Sequence, residues 1–140
     1  MSKLFSPDTS RLSRPEGTTS QADAVPARYS HGSPAELVAD MEAIVGKENV
    51  HGRLSDLVRF SSDAGPYRSI PNIVVSPRNA ADLSALMTYC DANSRHMTFR
   101  AAGTSLNGQA MSDDILVDVK THFSGMEVRE GGTKLWSRPG

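Results

Sequence analysis

Three short apolar runs, with one helical segment between the first two, set the main constraint on the fold. Residues 72–76 and 97–100 read as buried strands, and Asn79 is placed to cap a helix over residues 80–92. A strand, a helix and a strand at this spacing form a βαβ unit, so the two strands are predicted to be parallel. The apolar run at residues 115–119 predicts a further strand.

The flanking sequence predicts two more helices and a hairpin. Ser33 and Pro34 resemble an N-cap and a first helical residue, and that helix is expected to end at Gly46. A shorter helix is expected over residues 53–60. Residues 126–130 and 133–137 are typical of a hairpin with a two-residue Gly-Gly turn. The predicted fold class is α+β, with helices packed on a small mixed sheet.

Helical spacing indicates which side chains face the core. The expected apolar positions are Leu37, Val38, Met41, Ile44 and Val45 in the first helix, Leu54, Leu57 and Val58 in the second, and Leu83, Leu86, Met87 and Cys90 in the third. We expect Cys90 to be a packing residue rather than a nucleophile. Trp136 of the hairpin is also expected in the core.

Small and polar residues form the loop after the second strand. Gly103 and Gly108 permit positive φ and carry no Cβ that would block a ligand, while Thr104 and Ser105 add hydroxyl donors. Consecutive backbone amides of such a loop can converge on an anion. The same composition is also common in ordinary turns between strands. In a βαβ unit this loop lies at the carboxyl edge of the sheet, where open α/β sheets bind ligands.

Two familiar phosphate motifs do not match this loop. A P-loop requires Lys and Ser or Thr after its last glycine, whereas Gln109 and Ala110 follow Gly108. The dinucleotide fingerprint requires closely spaced glycines that open a helix, whereas this loop leads into a strand. Any phosphate here would therefore be held by backbone amides and hydroxyls without a helix dipole.

The run Arg-Ala-Ala-Gly-Thr-Ser-Leu-Asn-Gly-Gln at residues 100–109 resembles the pyrophosphate-binding loop of FAD-linked oxidases of the vanillyl-alcohol oxidase type, whose cofactor domain is called PCMH-type. Residues 67–77 and 115–119 match the preceding and following strands of that domain. The resemblance implies that residues 31–140 are the incomplete N-terminal part of such a domain. It also implies a set of FAD contacts: Arg100, Ala101, Ala102, Gly103, Thr104, Ser105, Leu106, Gly108 and Gln109.

Details of the run indicate which branch of the family it resembles. Ala101 and Ala102 stand where glycines are common, and Thr104 stands where some relatives carry a histidine bonded covalently to the flavin, so non-covalent FAD is expected. The loop, with His122 and Phe123 downstream, is most similar to D-lactate and glycolate dehydrogenase-like members. The intact protein would then transfer a hydride from a 2-hydroxy acid to FAD and pass electrons to an acceptor. Its catalytic residues are expected in later sequence, and this part alone is expected to be inactive.

Several alternatives remain at this stage. A non-catalytic module could use the same loop for another phosphate or nucleotide, or bind a partner protein through a sheet edge. Arg100 could lie near the pyrophosphate or simply end a strand at the surface. Tyr67 and Pro71 could flank the cofactor or serve packing alone, and a structural hydrogen bond is the expected role of His122.

Composition limits the remaining classes. The formal net charge is −1 with no run of Lys or Arg, so nucleic acid is not an expected partner. No apolar stretch is long enough to predict a transmembrane segment. One cysteine cannot ligate zinc or an iron–sulfur cluster, which would need a further domain, and it favours a reducing, cytoplasmic location, with peripheral membrane association of the intact protein left open. Residues 1–30 are predicted to be a disordered tail, since their acidic residues argue against a transit peptide.

Overall fold

A computed structural model describes residues 25–140 of the chain. Within that range the helices are α1 (Ala35–Val45), α2 (Leu54–Arg59) and α3 (Ala80–Ala92). The strands are β1 (Val50–His51), β2 (Ile73–Val75), β3 (Met97–Arg100), β4 (Ile115–Asp118), β5 (Met126–Arg129) and β6 (Lys134–Ser137). Most of the tail predicted over residues 1–30 lies outside the described residues.

The main sheet is mixed, with strand order β1-β2-β4-β3. Strand β4 lies between β2 and β3 and is parallel to both, since Ile115 pairs with Ile73 on one side and with Met97 on the other. Strand β1 runs antiparallel to β2. The predicted α+β class and the parallel orientation of β2 and β3 are confirmed, but β4 separates the two strands.

Strand β4 has an uninterrupted apolar run, which favours a central position where both of its faces are buried. Ile115, Leu116 and Val117 have no exposed surface, as expected for a central strand of a covered parallel sheet. Alternate residues along a strand point to opposite faces, so the core divides into two clusters. The larger cluster joins the sheet to α1 and α3 through Leu37, Met41, Val45, Ile73, Val75, Leu86, Cys90, Ile115, Val117 and Val119. The smaller cluster contains Tyr29, Leu57, Val74 and Leu116.

The ends of the helices show where local patterns are reliable. The Asn79 side chain accepts hydrogen bonds from the amides of Ala81 and Asp82, which confirms the predicted cap of α3. Ser33 does not cap α1, because Pro34 is extended and the helix begins at Ala35. The Ser33 amide instead donates to the Gly52 carbonyl at 2.8 Å, which holds this residue away from the helix.

Three expectations about burial and boundaries were wrong. Met87 is 52% exposed, because the α3 face that packs on the sheet does not include it. Tyr29 belongs to the core although it was placed in the tail; its hydroxyl donates to the Ile70 carbonyl at 2.9 Å. Trp136 is 47% exposed, because the hairpin forms a separate sheet; among the described residues, the guanidinium groups of Arg129 and Arg138 lie over its ring.

The predicted hairpin exists, with β5 antiparallel to β6. Its connection is longer than the predicted two-residue turn. Arg129 pairs with Lys134, so four residues separate the strands, and three of them, Glu130–Gly132, form a 3₁₀ turn. The extra residues arise because the hydroxyl of Thr133 donates back to the Glu130 carbonyl at 2.8 Å and closes a wider loop.

The buried carboxylate of Asp114 ties together the amino ends of the three parallel strands. It accepts hydrogen bonds from the Asn72 side chain at 3.1 Å, from the His96 amide at 3.2 Å and from the Arg95 guanidinium. The Asp114 carbonyl also accepts from the Asn72 amide at 2.8 Å. The start of β4 is thereby fixed between the residues that precede β2 and β3.

We predict that Asp114→Ala lowers the free energy of unfolding by about 2–4 kcal/mol, because it leaves the buried Arg95 contact and two donors without their acceptor. The neighbouring Asp113→Ala is the control, since Asp113 is 72% exposed and its ion pair with His96 should contribute less than about 1 kcal/mol. Urea denaturation measures both. Equal losses for the two variants would contradict this role of Asp114.

An ion pair at the start of α3 responds to pH. Arg78 donates from Nε to Asp82 Oδ2 at 2.8 Å and from Nη2 to Oδ1 at 3.0 Å. This side-chain hydrogen bonding is the main reason that the pKa of Asp82 lies below its ordinary value of 3.8. A carboxyl group whose pKa is lowered by folding stabilises the fold at pH values above its ordinary pKa. That stabilisation disappears as the pH falls through the lower pKa of the folded state.

We predict that Asp82→Asn costs about 1 kcal/mol of unfolding free energy near neutral pH, since Arg78 is half-exposed and solvent screens the pair. The difference from the wild-type chain should stay constant between about pH 5 and 8 and shrink below about pH 4. Unfolding at a series of pH values measures it. A difference that grew on acidification would refute the assignment.

Candidate functional site

A pocket of about 460 Å³ lies at the carboxyl edge of β3 and β4. Arg59 and Phe60 contribute to it from the end of α2, and Arg100 with the two following alanines contributes from the end of β3. The lining is completed by His51 of β1, by Asp118 at the end of β4, and by Lys120 and Thr121 after it. The position agrees with the prediction that the loop after β3 would lie at the ligand-binding edge of the sheet.

Charged side chains give this pocket a positive balance. Arg59, Arg100 and Lys120 line it, against the single carboxylate of Asp118. Within residues 25–140, Asp118 forms no ion pair with any of the three cations. Its Oδ1 accepts the Lys120 amide at 3.0 Å, which turns the chain sharply after β4. Such a set of charges suits an anionic group.

The two loop glycines are required by the backbone. Gly103 and Gly108 have φ values of 69° and 76°, which side chains rarely adopt. A Cβ on Gly103 would lie 2.5 Å from the Arg100 guanidinium, and one on Gly108 would lie 3.1 Å from the Met111 methyl group. The predicted positive φ is therefore confirmed at both glycines, and the close neighbour of Gly103 is a side chain of the loop's own strand.

The first half of the loop leaves its backbone donors free. Within the described chain, the amides of Ala102, Gly103 and Thr104 donate no hydrogen bond to a protein acceptor. The Gly103 carbonyl accepts from the Ala64 amide at 3.0 Å, which fixes the peptide from the opposite side. Free amides on a fixed backbone beside a cationic pocket are the donor set of an anion site.

The second half of the loop is bonded to itself. Ser105 Oγ accepts from the Asn107 amide at 3.3 Å and from the Gln109 amide at 3.1 Å, and it donates to the Gln109 side chain. Leu106 is 67% exposed. Ser105 and Gln109 thus shape the turn, whereas Arg100, Ala101 and Ala102 are the predicted contacts that line the pocket.

Other candidate residues have structural surroundings. The Tyr67 ring lies near Gly108 and is 55% exposed, whereas Pro71 is fully buried. His122 Nε2 is 3.0 Å from Asn49 Oδ1, which confirms the expected structural hydrogen bond. Cys90 is buried as expected, and burial raises the pKa of its thiol, which disfavours the nucleophilic thiolate.

Sequence reasoning missed several pocket residues: His51, Arg59, Phe60, Asp118, Lys120 and Thr121. The last three follow the apolar run of β4, so their place at the carboxyl edge could have been inferred once β4 was taken as parallel to β3. Arg59 and Phe60 end a helix of six residues whose contact with this edge depends on the path of a long connection. No local pattern indicates that contact.

We predict that Ser105→Ala releases the second half of the loop. Loss of the Oγ acceptor should speed amide exchange at Asn107 and Gln109 several-fold, because each hydrogen bond contributes about 1 kcal/mol. Thr104→Ala is the control, since the Thr104 hydroxyl forms no hydrogen bond within residues 25–140. Hydrogen exchange followed by NMR measures both. Equal exchange in Ser105→Ala and the wild-type chain would contradict the assigned role.

Comparison with known proteins identifies the family. The family profile described as "FAD binding domain" matches residues 71–140, which include β2, α3, β3 and the loop. The chain belongs to the FAD-linked oxidase family with a PCMH-type FAD-binding domain, a family of FAD-dependent oxidoreductases. FAD is therefore the cofactor of this domain. The family's chemistry requires a small-molecule substrate and an electron acceptor.

Two curated relatives share part of the chain. D-2-hydroxyglutarate dehydrogenase of Escherichia coli is 36% identical over 74 residues, which are 50% of this chain and 7% of that protein. Glycolate oxidase subunit GlcD of Bacillus subtilis is 33% identical over 100 residues, 69% of this chain and 21% of that protein. The chain thus spans about a fifth or less of the length of these relatives.

A solved structure confirms the fold independently. The 4-ethylphenol oxidase from Gulosibacter chungangensis superposes with a TM-score of 0.51 at 13% identity, covering 71% of this chain and 21% of that chain. At this identity the likeness concerns the fold alone. Among residues 25–140, no helix is long and apolar enough to span a membrane, and no cluster of three or more potential metal ligands occurs.

The pocket fits the diphosphate of FAD. Ala102 lines it, and the free amides of Ala102 and of the next two residues, Gly103 and Thr104, can donate to phosphate oxygens, while the cationic side chains of Arg59 and Lys120 can balance the phosphate charge. A Cβ at Gly103 would disturb this arrangement. The chemistry of the donor set and the family assignment therefore agree.

Proposed function

We propose that residues 100–109 anchor the diphosphate of FAD in a flavoprotein that oxidises a 2-hydroxy acid. The observation that carries the first part is the set of free amides at Ala102, Gly103 and Thr104 beside a cationic pocket at the carboxyl edge of the sheet. Support for the substrate class comes from the names of the two curated relatives, a D-2-hydroxyglutarate dehydrogenase and a glycolate oxidase subunit. D-lactate and glycolate are the substrates that we favour.

The loop residues have two roles in anchoring FAD, direct contact with the phosphates and support of the turn. The amides of Ala102, Gly103 and Thr104 donate to phosphate oxygens, while Ser105 and Gln109 hold the turn in shape from behind. Ala101 and Leu106 flank these donors in the loop, and we propose that they contact FAD next to the diphosphate. Because Thr104 carries no ring nitrogen, we propose that FAD is bound without a covalent link.

Anchoring the diphosphate fixes the position of the flavin ring relative to the substrate. Bound FAD supplies the redox chemistry by accepting a hydride from the hydroxyl-bearing carbon. The chain's own residues contribute binding and orientation, and we assign no catalytic acid or base among them. With one cysteine in 140 residues, any iron–sulfur centre of the electron-transfer path would lie on additional sequence. We place the protein in the cytoplasm, since its single buried thiol suits a reducing compartment.

We predict weak, localised binding of FAD by the 140-residue chain. Ligand sites usually bury most of the ligand's surface, and this pocket can enclose only part of FAD, so the Kd should be weaker than about 100 μM. NMR titration should move the amide signals of residues 101–106 more with FAD than with FMN or ATP, because FAD alone carries a diphosphate between two uncharged groups. Flavin absorbance should not survive gel filtration.

Matched lysine variants locate the binding. Lys120→Ala, in the pocket, should weaken FAD binding several-fold, whereas Lys47→Ala, exposed and outside the pocket, should not change it. A preference for ATP would instead indicate a different nucleotide-binding module. The absence of any shift in residues 101–106 would refute the proposed diphosphate site.

A further inference from the structure

The Arg100 guanidinium binds backbone carbonyls from two separate segments. Its Nη1 donates to the carbonyls of Ser62 at 2.9 Å, Phe60 at 3.3 Å and Ala110 at 3.5 Å. Phe60 and Ser62 follow α2, whereas Ala110 lies near the end of the loop. One side chain at the end of β3 therefore joins the segment after α2 to the end of the loop.

The surroundings of Arg100 favour this bridging role. Its guanidinium lies over the Phe60 ring, 5.3 Å from the ring centre, and Arg59 lies over the same ring at 4.6 Å. Within residues 25–140, no carboxylate lies within 4 Å of the Arg100 guanidinium. The carbonyls are thus its hydrogen-bonding partners, and a half-buried position keeps them partly shielded from water.

Gly103 makes room for this arrangement. A Cβ at that position would meet Arg100 Nη2 at 2.5 Å and Cζ at 2.7 Å. The Gly103 carbonyl in turn accepts from the Ala64 amide at 3.0 Å, two residues beyond the Ser62 carbonyl that Arg100 binds. The guanidinium and this backbone bond together hold residues 60–64 against residues 101–104.

We propose that Arg100 is a positioning residue for the cofactor: it fixes the free amides of Ala102, Gly103 and Thr104 at the pocket by clamping three carbonyls, and does not itself bind the phosphates. The expected effect on FAD binding rests on the proposed diphosphate site. The hydrogen bonds of Arg100 themselves are present without ligand. All three carbonyls are bonded by one nitrogen, Nη1, whose position is set by the planar guanidinium over the Phe60 ring; a lysine would keep the charge of Arg100 but has no planar group to lie on that ring.

The test compares Arg100→Lys and Arg100→Gln with the wild-type chain. In the nucleotide-free protein, both variants should speed hydrogen exchange at the amides of residues 62–64 and 101–110 about five- to tenfold, while α3 amides stay unchanged. Both should weaken binding of FAD to a similar extent. Arg59→Gln is the matched control for nucleotide-free exchange, because Arg59 stacks on the same ring but is bonded to no carbonyl of the two segments among the described residues.

A coupled variant gives a second readout. Gly103→Ala should disturb exchange in residues 62–64, because its methyl group would lie 2.5 Å from the Arg100 guanidinium and because a φ of 69° is strained for alanine; in Arg100→Gln only the effect of that strain should remain, so the added disturbance should be smaller. Additive effects of the two substitutions would count against the clamp.

Two further results distinguish a failure of the Arg100 clamp from a failure of the proposed diphosphate site. Unchanged nucleotide-free exchange in both variants, with FAD binding kept by Arg100→Lys and lost by Arg100→Gln, would overturn the proposal and show direct phosphate binding by a charge. If the wild-type chain bound no FAD, while Arg100→Lys and Arg100→Gln still released residues 62–64 and 101–110, the clamp would stand and the proposed diphosphate site would fall.

Discussion

The parallel insertion of β4 between β2 and β3 is the constraint on which the rest of the structure depends. Its residues Ile115, Leu116 and Val117 are fully buried, and both neighbours pair with it in parallel register. The Asp114 carboxylate fixes the amino edge of this arrangement. As a result, the ends of β3 and β4 meet at the opposite edge, where the cationic pocket lies.

At that edge, one loop combines two kinds of structure. Within residues 25–140, the amides of Asn107 and Gln109 are bonded to Ser105 Oγ, whereas those of Ala102, Gly103 and Thr104 donate to no protein acceptor. A loop bonded throughout would have no donors to offer, and a loop with no internal bonds would lose entropy on binding. The Ser105 bonds and the Arg100 bond to the Ala110 carbonyl fix the later part of the loop, and the bond from the Ala64 amide to the Gly103 carbonyl fixes the earlier part, so the free donors are held in place beside the pocket.

Sequence reasoning succeeded where the cause is local. The bounds of β3, the Asn79 cap and the need for Gly103 all follow from neighbouring residues, and the resemblance of residues 100–109 led to the correct family. Sequence reasoning failed where contacts between residues far apart in the chain determine the structure. Trp136 and Met87 carry apolar side chains that stay about half exposed, at 47% and 52%, and the position of β4 depends on pairing across a long loop. The contribution of Arg59 to the pocket depends on the same kind of remote contact.

The central claim is that backbone amides of this loop hold the diphosphate of FAD. A crystal structure of the protein bound to FAD tests it most directly. The account predicts phosphate oxygens within about 2.7–3.2 Å of the amide nitrogens of Ala102, Gly103 and Thr104, with the Arg100 guanidinium still on the carbonyls of Phe60 and Ser62. A diphosphate bound at another edge of the sheet, or held by side chains while those amides face solvent, would contradict it.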